Sequence, residues 1–185
     1  MVKDVLTEAE DRMRGAIKAL EDNLATIRTG RASPALIERV QVEYYGSPTA
    51  LQQLASISVP EPRQLLVKPF DASTLKDIER AILGSDLGLT PNNDGKVIRL
   101  NLPALTEERR RDLVKVVHHK LEESRIAVRN VRRSAHEDMR EFEKEKMISE
   151  DELKRGEVDL QKLTDKYIEK IDEMGQRKDA EIKEI

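Results

Sequence analysis

Arg129, Arg132 and Arg133 lie within five residues of one another, and Arg125 precedes them by about one helical turn. Arginine carries a planar, permanently charged fork that can bond two phosphate oxygens at once. The surrounding stretch places Leu113, Val117, Leu121, Ser124, Val128, Val131, Ala135, Met139 and Phe142 three and four residues apart. At about 100° per residue those positions form one narrow stripe on a helix. The arginines fall on a single flank of that stripe, together with Arg111, Lys115 and Arg140. Asp112, Glu123, Glu137 and Glu141 point elsewhere, and Glu122 is the exception. One reading is a solvated face laced with salt bridges. Against it, only Arg133 has an acidic residue four positions away, Glu137, although Arg129 can pair across a helix bundle. The other reading is a grip on an anionic polymer. Aromatic residues for stacking unpaired bases are not interleaved here. The pattern therefore suits backbone and shape recognition of folded RNA.

Other chemistry is poorly represented. His118, His119 and His136 are the only histidines, and no HExxH pattern occurs. The chain has no cysteine, hence no thiolate chemistry and no Cys-based metal site. No phosphate loop, nucleophile elbow or Gly-rich dinucleotide turn is present. We therefore expect no catalytic residue, no metal site, no cofactor and no small-molecule substrate. The net charge is −3, but it is unevenly spread. Arg109 to Arg133 holds nine Lys/Arg against three Asp/Glu, and Ser134 to Ile185 holds eleven against seventeen. Local field rather than net charge decides what is steered to a surface. No apolar run approaches the ~20 residues of a membrane span, and the N-terminus lacks a signal-peptide core. The expectation is a cytoplasmic monomer away from membranes.

The elements that must position the arginines follow from periodicity. A first helix is predicted from about Leu6 to Thr29, striped by Leu6, Ala9, Met13, Ile17, Leu20, Leu24 and Ile27. Gly30 stands where a left-handed cap is wanted, and Pro34 stops helical continuation. The arginine-bearing helix runs from about Thr106, a plausible N-cap, to about Met147. Ser149 to Glu152 has the capping-box pattern that starts a third helix. That helix carries Leu153, Gly156, Leu160, Leu163, Tyr167, Ile171 and Met174 on one face, with Gly156 read as a point of close helix approach.

Residues 31–105 have a different texture. Val40–Tyr44, Ser56–Val59, Leu65–Lys68 and Val97–Leu102 read as strands, Ser73–Leu83 as a short helix and Asn92–Gly95 as a turn. At Tyr44-Tyr45-Gly46 one tyrosine is expected in the core, because strand neighbours face opposite sides, and the other is left for a partner. The fold class expected is α+β: an elongated three-helix antiparallel bundle from 1–30 and 106–185, with a small β/α/β domain inserted at 31–105. Both connections lie at one end of the bundle. They form a double-stranded hinge of Gly30, Arg31, Ala32, Ser33 and Pro34 with Pro103, Ala104 and Leu105, giving an L-shaped molecule. Arg28-Thr-Gly-Arg31 reads equally as a charged helix end or as a hinge that binds anions.

Taken in order, Ile27-Arg-Thr-Gly-Arg-Ala-Ser-Pro34, Val42-Glu-Tyr-Tyr-Gly46, Ser85-Asp-Leu-Gly-Leu89, Leu105-Thr-Glu-Glu-Arg-Arg110, Val128-Arg-Asn-Val-Arg-Arg133 and Leu163-Thr-Asp165 closely resemble the bacterial ribosome recycling factor family. The resemblance runs from end to end. It implies a factor that binds the post-termination 70S ribosome and, with elongation factor G and GTP hydrolysis by that partner, splits it into subunits, releasing mRNA and tRNA. It also implies that the bundle lies on large-subunit rRNA. Arg129 and Arg132 match the family's rRNA-contacting arginines, with Arg28, Arg31, Arg109, Arg110 and Arg133 as further candidates. Ser134 stands where an acidic residue is common, and His118-His119 is unusual. From the residues alone, a coiled-coil module that binds an acidic protein remains the alternative.

Overall fold

Leu113, Val117, Leu121, Ser124, Val128, Val131, Ala135 and Met139 are all buried, along one side of helix α4 (Glu107–Lys144). At 1.5 Å per residue that helix is about 57 Å long. The computed structural model describes residues 1–184. Two compact units make up the chain: Met1–Arg28 with Glu107–Glu184, and Thr29–Thr106. Thr29, Gly30 and Thr106 thus side with the second unit rather than with the helices.

In the first unit α4 packs on α1 (Val2–Ala25) and α5 (Glu150–Lys183), and those two pack on each other. Cross-helix contacts define the directions. Arg125 meets Asp172 and His136 meets Glu157, so α4 and α5 run antiparallel. Glu10 accepts a hydrogen bond from Tyr167, and its carboxyl is held below the ordinary range chiefly by the Lys166 ammonium. None of these narrow stripes can be buried by one helix alone, which is why three assemble.

Helix α1 both starts and ends about four residues earlier than expected, and Gly30 is not its cap. The Thr26 hydroxyl donates to the Asn23 carbonyl at 2.7 Å, and the Ile27 amide donates to Leu24 at 3.1 Å. These bonds satisfy orphan carbonyls locally, so no glycine is needed at the helix end. Gly30 does adopt a left-handed φ of +79°, but within the second unit, where a Cβ would meet the Leu105 side chain at 3.2 Å. Pro34, expected as a stop, instead opens a short 3-10 turn at Pro34–Leu36.

The turn between α4 and α5 uses a left-handed Lys146, at φ +60°, followed by the capping box. The Ser149 amide donates to Glu152, and the Glu152 amide donates to the Ser149 hydroxyl. The Ser149 amide, the larger cause, and the Ser149 hydroxyl, donating at 2.9 Å and lost in Ser149→Ala, both bond the Glu152 carboxylate and hold it below its ordinary 4.5. A lowered folded-state value means the stabilisation is complete above 4.5 and fades as pH falls through the folded value. Ser149→Ala should cost about 1 kcal/mol at neutral pH, read by urea unfolding, and the difference from wild type should narrow in acid.

Two glycines set the interhelical distance. A Cβ at Gly156 would meet Met139 Sδ at 2.7 Å and Val2 Cγ1 at 2.8 Å, the close approach expected from its place on the apolar face. Gly175, not singled out in the sequence, faces Leu121 so closely that a Cβ would run into Cδ1 and lie 3.3 Å from Cδ2. All three nearest atoms belong to that one buried side chain, so the whole residue must move. Gly175→Val should therefore destabilise by about 3 kcal/mol, outweighing the ~1 kcal/mol helix cost of glycine that it removes. A thermal midpoint unchanged or raised would contradict this packing argument.

The second unit has a two-stranded hairpin, β1 (Gln41–Tyr44) with β2 (Ser47–Ala50), and a four-stranded antiparallel sheet in the order β3-β4-β6-β5. The sheet strands are β3 (Ala55–Glu61), β4 (Gln64–Pro69), β5 (Pro91–Asn93) and β6 (Ile98–Asn101). Leu65 pairs with Leu100 and Val67 with Ile98, placing four buried side chains on one face. Against them pack Ile78 and Ile82 of α3 (Leu75–Leu83), with Ile37, Val42 and Leu51. β2, β5 and α2 (Leu51–Leu54) were not expected. The Asn92–Gly95 turn is shorter than expected: Asn92 and Asn93 pair with Arg99 and Ile98, and Asp94 closes the turn by accepting from the Lys96 and Val97 amides.

Candidate nucleic-acid interface

Helix α5 runs along the arginine flank of α4, so the flank is not a uniformly open basic face. Arg125, on the edge nearest α5, donates to Asp172 at 2.6 and 3.1 Å and also pairs with Glu122 at 3.3 Å. The Asp172 hydrogen bonds are the main reason its guanidinium holds its proton more tightly than usual. Arg129 pairs with the other oxygen of Glu122 at 3.2 Å, seven residues back, leaving its side chain 52% exposed. Arg132 makes no ion pair among the described residues; it donates to the Gln161 side-chain carbonyl at 3.1 Å. Arg133 is exposed, and the expected Glu137 partner does not engage it.

The cluster is therefore graded. Arg125 is committed to helix packing, Arg129 is partly compensated, and Arg132 and Arg133 have no carboxylate partner among the described residues. Arg125→Ala should cost about 1 kcal/mol of stability, discounted for its exposure, and leave RNA affinity unchanged. Loss of binding without loss of stability would reverse that assignment.

The remaining arginine candidates are dispersed. Arg28 ends the first unit and Arg31 lies in the second; both are exposed. Arg109 and Arg110 do not share the Arg129 flank. Arg109 is exposed on the other side of α4, and Arg110 continues the buried stripe, half-buried, with its Nε enclosed and unbonded. The three histidines are each paired with a carboxylate: His118 with Asp179 at 3.0 Å, His119 with Glu123 at 3.2 Å and His136 with Glu157 at 2.8 Å. No group of three or more residues able to hold a metal occurs among the described residues. No helix among them is long and apolar enough to cross a membrane.

The connections are more ordered than a loose linker. Ala32 is buried in the second unit's core and donates to the Pro62 carbonyl at 2.7 Å. Leu102 donates to Arg63 at 2.8 Å. Both chain segments are thus tied to the β3–β4 turn. Tyr44 packs on the core, whereas Tyr45, at a left-handed φ of +48°, is 85% exposed and meets only the edge of the Tyr44 ring in an aromatic contact.

A family profile described as ribosome recycling factor matches residues 20–182. The chain belongs to the ribosome recycling factor family. Its relatives include the ribosome-recycling factors of Roseiflexus castenholzii, 57% identical, and Halalkalibacterium halodurans, 56% identical, each matched over the full length of both chains. A solution structure of ribosome recycling factor is 46% identical, with a TM-score of 0.73 over 100% of this chain and 98% of that one. A second solved structure, of the T. thermophilus factor in models with E. coli elongation factor G bound to the E. coli post-termination complex, gives 46% identity and a TM-score of 0.63 over 98% of each chain. Family and fold agree with the α+β class: long packed helices accompanied by a small sheet unit.

Proposed function

We propose that this chain acts as a ribosome recycling factor: it binds the post-termination ribosome and, with elongation factor G and that partner's GTP hydrolysis, splits it into subunits. The end-to-end similarity to ribosome-recycling factors carries the reading. The helical unit contacts large-subunit rRNA through Arg132, Arg133 and Arg129, in that order of weight, since the first two keep their charge uncompensated. Arg28, Arg31 and Arg109 are secondary contacts. Arg110, half-buried, contributes least.

The factor does no covalent chemistry of its own and works in the cytoplasm as a monomer without a cofactor. Binding shifts the ribosome toward separated subunits only by the difference in affinity between the two states. The two connections, Gly30–Pro34 and Pro103–Leu105, serve as a hinge through which elongation factor G moves the inserted unit. The bonds of Ala32 and Leu102 to the β3–β4 turn favour a pivot on the helical side of those residues. Light scattering of 70S ribosomes mixed with this protein, elongation factor G and GTP tests the reading. A fall in scattering that requires all three components is expected; no fall would refute it.

A further inference from the structure

Arg132 is held in place by a neutral partner. Its Nη1 donates to Gln161 Oε1 at 3.1 Å, and the other end of that amide, Nε2, donates to Asp165 Oδ1 at 2.8 Å. The double bond pattern fixes which way the amide faces: its oxygen must point at the arginine and its nitrogen at the carboxylate. The guanidinium is therefore oriented by α5 without being neutralised. The contrast is with Arg125, seven residues earlier on the same seam, where α5 supplies the carboxylate of Asp172 directly.

Beside this bond lies a cavity of about 330 Å³, lined by Arg132, Arg133, His136, Glu157, Leu160 and Gln161. Leu160 is buried. The one carboxylate among the lining residues, Glu157, is occupied by His136 at 2.8 Å. Two arginines thus face an open notch whose acidic group is already engaged. Its size is at the lower end of small-molecule pockets, enough for one nucleotide unit and too small for a helix.

We propose that this notch seats a single phosphodiester unit of the folded RNA, and that Gln161 is a positioning residue that presents Arg132 to it charged and preorganised. This rests on the rRNA-binding reading above. A donor already held in its bound geometry loses less side-chain freedom on binding. An oriented but unneutralised arginine retains its full counterion release. Glutamate at position 161 would supply the same oxygen acceptor together with a negative charge, so it separates orientation from charge.

Binding of the full-length protein to purified large ribosomal subunits, across a salt series, tests this. Gln161→Glu should weaken binding by on the order of tenfold at low salt. Because one phosphate contact is lost, the slope of log affinity against log salt should become shallower by about 0.7–0.9. Gln161→Met, which frees Arg132 without adding charge, should weaken binding by about threefold at an unchanged slope. A merely structural role for Gln161 would leave the slope unchanged in both variants. Wild-type affinity and slope in Gln161→Glu, alongside losses in Arg132→Ala, would overturn the positioning role alone. Wild-type behaviour of Arg132→Ala would overturn the arginine reading on which the inference stands.

Discussion

Arg132→Glu is expected to weaken binding to isolated large ribosomal subunits by on the order of a hundredfold at low salt, because a charged hydrogen bond is lost and a repulsive charge is added. Each neutralised phosphate contributes about 0.9 to the salt slope in a duplex and about 0.7 in a single strand. The variant should therefore show a slope shallower by about one contact as well as a lower affinity. Fold stability should hardly change, since Arg132's partner is an exposed neutral amide rather than a buried carboxylate. Arg125→Ala provides the opposite control: lower stability with normal binding, because Arg125 serves Asp172 and Glu122. Filter binding or pelleting at several salt concentrations reads the first quantity, and denaturant unfolding reads the second. Equal affinity of wild type and Arg132→Glu at every salt concentration would remove Arg132 from the interface.

Gly30→Pro is expected to slow ribosome splitting by on the order of tenfold or more, the rate equivalent of the ~1–3 kcal/mol stored by a mis-set backbone. Proline fixes φ near −65°, whereas Gly30 sits at +79°. The segment must rearrange, because a Cβ at position 30 would also lie only 3.2 Å from Leu105 Cγ in the other connection. Binding to the large subunit should fall much less, because the arginine cluster belongs to the helical unit. Gly30→Ala should be intermediate: alanine pays about 1–2 kcal/mol in the left-handed region and crowds Leu105. Splitting by light scattering and binding by pelleting are read on the same preparation. Equal losses in both assays would argue that Gly30 supports the fold generally rather than the transmission of force.

Much of the helical unit was legible because its signal is local. Eight of the nine stripe positions expected in α4, from Leu113 to Met139, are buried, and the ninth, Phe142, is half-buried. A 3.6-residue period needs no knowledge of partners. The Ser149 capping box was legible for the same reason: donors and acceptors three residues apart bond whatever lies beyond them. Gly156 could be read from its place on an apolar face. Gly175 could not be read this way, because only the position of Leu121 across the seam makes it tight.

The misses have physical causes. β2 is Ser47-Pro-Thr-Ala50, with a proline and no alternation, and it is a strand because the left-handed Tyr45 and Gly46 fold it back on β1. β5 begins with Pro91 and is paired on one side only. Helix α1 ends before its periodicity does: Ile27 keeps the helical period, but the Thr26 hydroxyl closes the helix on the Asn23 carbonyl.

By itself, the sequence determined which residues are apolar at helical spacing, where α4 and α5 start, and that the basic charge is concentrated between Arg109 and Arg133. Six ordered motifs were enough to point to the family. Only the tertiary structure decided which arginines remain available. Arg125, Arg129 and Arg132 differ little in local spacing, yet the antiparallel register of α5 brings a carboxylate to the first and a neutral amide to the third. Charge compensation depends on what lies within a few ångströms in space, and between packed helices that neighbour is dozens of residues away in the chain.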